Sequence, residues 1–334
     1  MNKQVLRMNE KRTFGQMLSS MGNTLSLLIA LVLLGIVWSF MTPYFLTPKN
    51  IMNVLMFAGA MAIRSSGLTV AMIIGGLDLS QNATGALTAI VCALASIAGA
   101  PWWLVIAMVL GSGVVLGSIN ATLVTFAKIP AFITTLATMQ IFRGIAWLIS
   151  GKTIMLMDQN LVRLGRGRIA SEAMGDWAIP FLAVIAIVIL GITYFILNFT
   201  SFGRKVYMVG GNKQASYLSG INSNKITFIA FVYSGLMGAI AGSLLSYQVG
   251  AALPQASAGT EMVPIAAVIL GGVSLAGGKG KISGTILAVL ILQVITNGLQ
   301  LQGIAQYVQW VVTGCVLLLA VFIDVIRSGA LRKN

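Results

Sequence analysis

The sequence predicts an all-α polytopic membrane protein with about ten transmembrane helices, and three observations carry that prediction. Charged residues make up 8% of the 334-residue chain while hydrophobic residues make up 57%, with a mean hydropathy of +0.94. A soluble domain carries about 25% charged residues, so this chain has too little polar surface to cover a water-soluble globule. The apolar residues come in long runs, as bilayer-spanning helices of roughly 20 residues require. Hydrocarbon offers backbone groups no water, so such runs satisfy their own hydrogen bonds as helices. The period-2 alternation of a membrane β-barrel is absent.

The runs fall at about 22–41, 51–63, 67–99, 103–125, 129–151, 177–198, 226–247, 262–272, 283–299 and 306–326. The first, Leu25 to Met41, follows Lys3, Arg7, Lys11 and Arg12 and ends at Thr42-Pro43 without a small-residue cleavage pattern. It reads as an uncleaved signal anchor. The third is too long for one simple span, and Gly75-Gly76-Leu77-Asp78-Leu79-Ser80 interrupts it, which predicts a broken helix. These boundaries divide the chain into an N-terminal cytoplasmic segment 1–21, one permease-like domain 22–326 and a cytoplasmic tail 327–334.

Charge tests the alternation. With the N-terminus inside, fifteen Lys and Arg residues fall inside and five outside, as the positive-inside rule predicts for two cytoplasmic termini. The exception is 152–176, which holds four of the five outside charges, Lys152, Arg163, Arg166 and Arg168, beside Asp158, Glu172 and Asp176. An internal echo relates Ala71–Leu79 to Ala267–Leu275. On this count the two belong to the third and eighth spans, which run in opposite directions. An inverted repeat around a midplane site fits that arrangement, and so does a chance match in an Ile/Gly-rich chain.

Several functions are excluded. The net charge of +14 is scattered between apolar runs rather than gathered into a basic stripe, so nucleic acid is not a partner and membrane lipid is. The chain has no His, and its two Cys, Cys92 and Cys315, lie apart in apolar runs. Neither a metal site, a catalytic centre nor a cofactor is expected.

The longest polar stretch of the predicted inner side is 201–225. Asn212 suits a helix N-cap, Lys213 to Ser219 make about two turns, and Gly220 supplies a stop. The stretch reads as a short helix offered to a partner or as an ordinary solvated loop. It closely resembles the coupling loop of ribose-type bacterial ABC sugar permeases, matching at Gly210, Gly211, Asn212, Ala215 and Ser219-Gly220-Ile221. Leu270 to Gly284 resembles the glycine-rich segment of the same family, and Gly76 to Ser80 resembles another of its signatures. Lys213-Gln214, where the family has an acidic residue, and Gln81-Asn82, where it has small residues, depart from the pattern.

The resemblance implies an inner-membrane permease that receives a sugar or similar small polar solute from an external solute-binding protein. It implies two cytoplasmic ATP-binding subunits and a second permease copy or a paralogue. It also makes Gly210, Asn212, Ala215, Ser219, Gly220 and Ile221 the ATPase-coupling residues. ATP is not bound by this chain, because neither Lys279 nor Lys281 stands in the Gly-x4-Gly-Lys-Ser/Thr frame of a phosphate loop.

Polar residues within spans are costly and often functional. Asp78, Gln140, Arg143, Asn297 and Gln300 are therefore the candidates for the translocation pathway, since amides and a carboxylate suit the hydroxyls of a sugar. The other reading is structural: Asp78 caps the broken helix, and Arg143 pairs internally or snorkels. The rival function is an ion-driven secondary carrier, for which Asp78 and Glu261 are nearly the only titratable groups. A membrane enzyme is disfavoured by the scarcity of His and carboxylates.

Overall fold

A computed structural model describes residues 23–327, so segment 1–21 and residues 328–334 lie outside the described residues. The chain is a helical bundle with two pairs of two-residue strands. Fourteen helices follow in order among the described residues: α1 (Asn23–Met41), α2 (Pro48–Ile73), α3 (Gln81–Ile97), α4 (Trp102–Thr125), α5 (Ala131–Ser150), α6 (Gln159–Arg166), α7 (Ser171–Met174), α8 (Phe181–Phe199), α9 (Ser201–Gly211), α10 (Lys213–Leu218), α11 (Ser223–Val249), α12 (Met262–Leu270), α13 (Ile282–Leu301) and α14 (Gln306–Arg327). Seven of them, α1, α2, α4, α5, α8, α11 and α13, are long and apolar enough to cross a membrane, and α3 and the stretch Gln306–Leu319 of α14 are shorter apolar helices. With the nine-residue α12, the described residues hold seven helices long enough to cross and three shorter apolar ones, so about ten crossings is the upper end of a count of seven to ten.

One boundary differs from the sequence expectation. The polar residues Arg64-Ser65-Ser66 were expected to separate two spans, but α2 passes through them unbroken. Their side chains are absorbed by the interior. Ser66 Oγ donates to the Ile63 carbonyl at 2.6 Å, Thr69 Oγ1 donates to the Ser65 carbonyl at 2.8 Å, and Arg64 is buried rather than displayed in a loop. The break predicted at Gly75–Ser80 is present, at 74–80 between α2 and α3. The Ala71–Leu79 motif thus ends the second helix of the bundle rather than belonging to the third. It and its echo run side by side in the same direction. At one end Phe57 to Arg64 share a cavity wall with Ser257 to Pro264, and at the other the Gly278 amide donates to the Ile73 carbonyl at 2.7 Å. The opposite directions expected of the two motifs are therefore not found; shifting one copy by one helix reverses its sense.

Helix α11 is the axis of the bundle and packs on α2, α3 and α4. On α3 the contact is backbone to backbone, because a Cβ built on Gly85 would lie 2.7 Å from the Gly238 carbonyl oxygen and 2.8 Å from Gly242 Cα. Small residues permit this close approach, which is how membrane helices pack where lipid gives no hydrophobic drive. α1 lies against α13, with Trp38 over Gly298.

The two ends of the bundle differ. At the first, β1 (Ile154–Met155) pairs antiparallel with β4 (Ala251–Ala252), and β2 (Arg168–Ile169) with β3 (Ile179–Pro180). Here α6 is capped by Asp158, whose Oδ1 accepts from the Asn160 amide at 2.8 Å. The basic residues of this segment are largely engaged. Arg166 donates to the Gln248 and Val249 carbonyls at the C-terminus of α11, where a cation offsets the helix dipole. Arg163 sits 6.0 Å from the Phe181 ring centre, and Arg168 reaches Asn53 Oδ1 at 3.4 Å. Structural work of this kind gives a physical reason for the one exception in the charge pattern. The second end carries α9 and α10 together with the loops 126–130 and 271–281.

Candidate functional site

α10 is built as the sequence predicts, whereas the helix α9 before it was not foreseen in a stretch read only as polar. Asn212 caps α10, its Oδ1 accepting from the Gln214 and Ala215 amides at 2.9 Å each. Such a cap satisfies two of the donors that a helix start leaves open. α10 stops at Ser219, and Gly220 takes φ +76°, a left-handed value that favours glycine. Ser216 is buried and donates to the Asn212 carbonyl at 2.8 Å, which seats the helix. Tyr217 and Leu218 stand 76% and 81% exposed at its tip, and Ala215, Ser219 and Gly220 are also exposed. A groove of about 960 Å³ runs beside them, bounded by Gln214, Ile221 and Asn224.

Beneath α10 the three motifs picked out in the sequence meet. A Cβ on Gly210 would overlap the Ile73 carbonyl, and one on Gly278 would lie 2.7 Å from Gly211 Cα. Gly277 and Gly278 hold φ of +83° and +73°, and Tyr207 Oη donates to the Gly280 carbonyl at 2.9 Å. Burial pushes the Tyr207 phenol above its ordinary value, so it remains a proton donor at neutral pH. The end of α2, the Gly210-Gly211 end of α9 and the glycine-rich loop thus meet backbone to backbone, with the Tyr207 side chain adding a hydrogen bond to the loop. Lys128 and Lys213 flank the junction, lining one 470 Å³ cavity with Gly75, Gly76 and Phe231.

The five expected pathway residues do not converge. Asp78 is buried, with Oδ1 accepting from the Ser80 amide (3.0 Å) and Ser80 Oγ (2.6 Å), and Oδ2 accepting from Ser234 Oγ (2.6 Å). Around it Gln81 Nε2 donates to Ser234 Oγ at 2.8 Å, Asn120 Nδ2 to Ser80 Oγ at 2.7 Å, and Thr138 Oγ1 to Asn120 Oδ1 at 2.6 Å. This network ties the 74–80 break to α3, α4, α5 and α11. Arg143 pairs with Glu261 at 3.2 Å and donates to the Pro254 and Ala256 carbonyls at 3.2 and 3.3 Å, fastening α5 to the segment before α12. Asn297 exchanges two 2.9 Å hydrogen bonds with Asn50, joining α13 to α2. Gln140 and Gln300 are exposed. Ser80 and Gln81 were noted in the sequence only as motif positions, and Asn120, Thr138 and Ser234 were not expected at the site. A lone hydroxyl or amide in an apolar run carries no pattern, and only the fold brings these together.

Comparison with known proteins agrees with this architecture. The family described as branched-chain amino acid transport system / permease component matches residues 50–321. The ribose import permease protein RbsC of Bacillus subtilis is 36% identical over 98% of this chain and 100% of its own length. RbsC of Escherichia coli K12 is 37% identical over 90% and 92%, and the L-arabinose transport system permease protein AraH of the same organism is 34% identical over 92% of each. No solved structure matches the chain. With the match covering most of the bundle, the chain belongs to this family of transport-system permease components, and it is an ABC-importer permease similar over nearly its whole length to sugar permeases.

Proposed function

We propose that this chain is the membrane subunit of an ATP-driven importer that passes a sugar or similar small polar solute into the cytoplasm. A cytoplasmic ATP-binding subunit docks on α10, a solute-binding protein delivers at the α6 end, and a second copy or a paralogue completes the pathway. The observation that carries the reading is the α10 unit: a capped helix with exposed Tyr217 and Leu218, seated on a backbone junction with the end of α2 and the glycine-rich loop. A partner that moves α10 pulls on Gly210-Gly211, directly before its Asn212 cap, and through their backbone contacts on both of those segments. The relatives' printed roles in ribose and arabinose transport support a sugar as solute. Both carboxylates that an ion-driven carrier would use, Asp78 and Glu261, are occupied by protein donors.

The α9–α10 end holds Lys128, Arg204, Lys205, Lys213, Lys225, Lys279 and Lys281, with no Asp or Glu in its loops and short helices, which supports a cytoplasmic position. Ala215→Arg places a charge in the middle of the exposed face of α10. Uptake is expected to fall at least tenfold with an unchanged amount of protein in the membrane, and the ATP-binding subunit no longer co-purifies. Leu218→Asp should act in the same way. Normal uptake and normal co-purification by both variants would refute the docking role.

A further inference from the structure

A second cavity opens between helices of the bundle, away from the glycine junction. It has a volume of about 520 Å³ and is walled by α2, α13, α14 and the segment leading into α12. Arg64 lines it, sixteen residues beyond the start of the 26-residue α2, or about 24 Å along the helix at 1.5 Å per residue. That is mid-depth in a span. Arg64 is 7% exposed, and its Nε has no hydrogen-bond partner among the described residues. The carboxylate of Glu261 exerts a favourable field on it but is held by Arg143. A guanidinium buried at such depth without hydrogen bonds is costly, and a cavity beside it lets a ligand repay the cost.

The rest of the wall is made of groups that suit one chemistry. Gln293, Gln309 and Thr260 offer both donors and acceptors, and Trp310 adds an aromatic surface. Gln309 Oε1 is buried without a hydrogen-bond partner, although its Nε2 donates to the Ile304 carbonyl at 3.0 Å. Arg64 and Gln309, each with one buried atom that lacks a partner, thus both line one half-open polar cavity. A solute whose hydroxyls both donate and accept, with an apolar face to lie on an indole ring, suits that wall. Thr260 is further tied to α3, where Asn82 Nδ2 donates to the Ser257 carbonyl at 2.8 Å and reaches Thr260 Oγ1 at 3.3 Å.

We propose that this cavity is an intramembrane solute subsite for a polyhydroxylated ligand, with Arg64 and Gln309 as its hydrogen-bonding residues. The assignment rests on the importer reading for the direction and purpose of transport, but not for the existence of a watered polar cavity. Two measurements separate the two. In a background where Cys92→Ala and Cys315→Ala remove both native thiols, Thr296→Cys places one thiol on the cavity wall, and Ile187→Cys places another on the exposed apolar face of α8. A small charged thiosulfonate reagent should label position 296 at least tenfold faster than position 187. Equal inertness at both positions overturns the subsite whatever the transport mechanism. Uptake of labelled D-ribose and L-arabinose by the complete reconstituted importer is then compared for wild type, Arg64→Met, Arg64→Lys and Gln309→Leu. Arg64→Met and Gln309→Leu should each lower uptake tenfold or more while ATP hydrolysis and co-purification of the ATP-binding subunit persist, and Arg64→Lys should recover part of the loss. Unchanged uptake by Arg64→Met and Gln309→Leu overturns the subsite. Loss of co-purification in wild type faults the importer reading instead, and the labelling comparison still decides the cavity.

Discussion

Asp78 shows what a single residue does when a span is broken. A carboxylate with no protein partners at this depth would be expensive, yet three donors converge on it within 3.0 Å and those donors are themselves fixed by Gln81 and Asn120. The arrangement marks it as a clasp that holds the 74–80 segment closed rather than as a ligand waiting for solute. Asp78→Asn keeps the shape but turns an acceptor into a donor facing Ser80 or Ser234, which leaves a buried donor unsatisfied at a cost of about 1–3 kcal/mol. A lower melting temperature in detergent is expected, with transport per folded molecule nearly retained. Abolished transport at unchanged stability would make Asp78 a pathway residue instead. The sequence showed Asp78 because a lone acid in an apolar run is conspicuous. It did not show Ser234 or Thr138, whose hydroxyls are ordinary in a helix until a partner faces them.

Elements were legible where the signal was local. The cap at Asn212, the length of α10 and the stop at Gly220 all follow from neighbouring residues, and the structure repeats them. The course of α2 was not legible, because Arg64-Ser65-Ser66-Gly67 looks like a loop unless the interior that receives those side chains is known. The packing of α11 was equally hidden, since only the paired helices reveal that Gly85 faces Gly238 and Gly242. Gly242→Val inserts a branched side chain where a Cβ alone would lie 2.3 Å from Gly85 Cα. Overpacking of this kind typically costs about 1–3 kcal/mol, and more where backbone must move. The variant should be recovered in markedly lower amounts from detergent extraction than Gly191→Val, whose site on α8 is open. Equal recovery would mean that the α3–α11 contact is not tight.

For the molecule as a whole, the asymmetry of the two ends makes orientation testable. Basic side chains at the α9–α10 end are mostly free of acidic partners, whereas three arginines at the α6 end are bound to protein. A cysteine at Lys281→Cys, in the thiol-free background, should react with an impermeant reagent only from the cytoplasmic side, and one at Lys152→Cys only from outside. The reverse pattern would invert the proposed topology. The resemblance read from three separated motifs extends to nearly the whole chain, and those motifs converge at one place in the fold, which composition and hydropathy do not reveal.

The eight residues from Gly75 to Asn82 join the two regions for which functions are proposed. Gly75 lies against Gly277 and Ala276, while Asn82 grips Ser257 and Thr260 on the wall of the inner cavity. Between them the Asp78 hydrogen bonds to Ser80 and Ser234 hold the turn against α11. A stiff strut of fixed length transmits displacement without damping it. Docking at one face and the width of a chamber deep in the membrane would then vary along a single coordinate, so the protein would have no means of opening the chamber at a time of its own choosing.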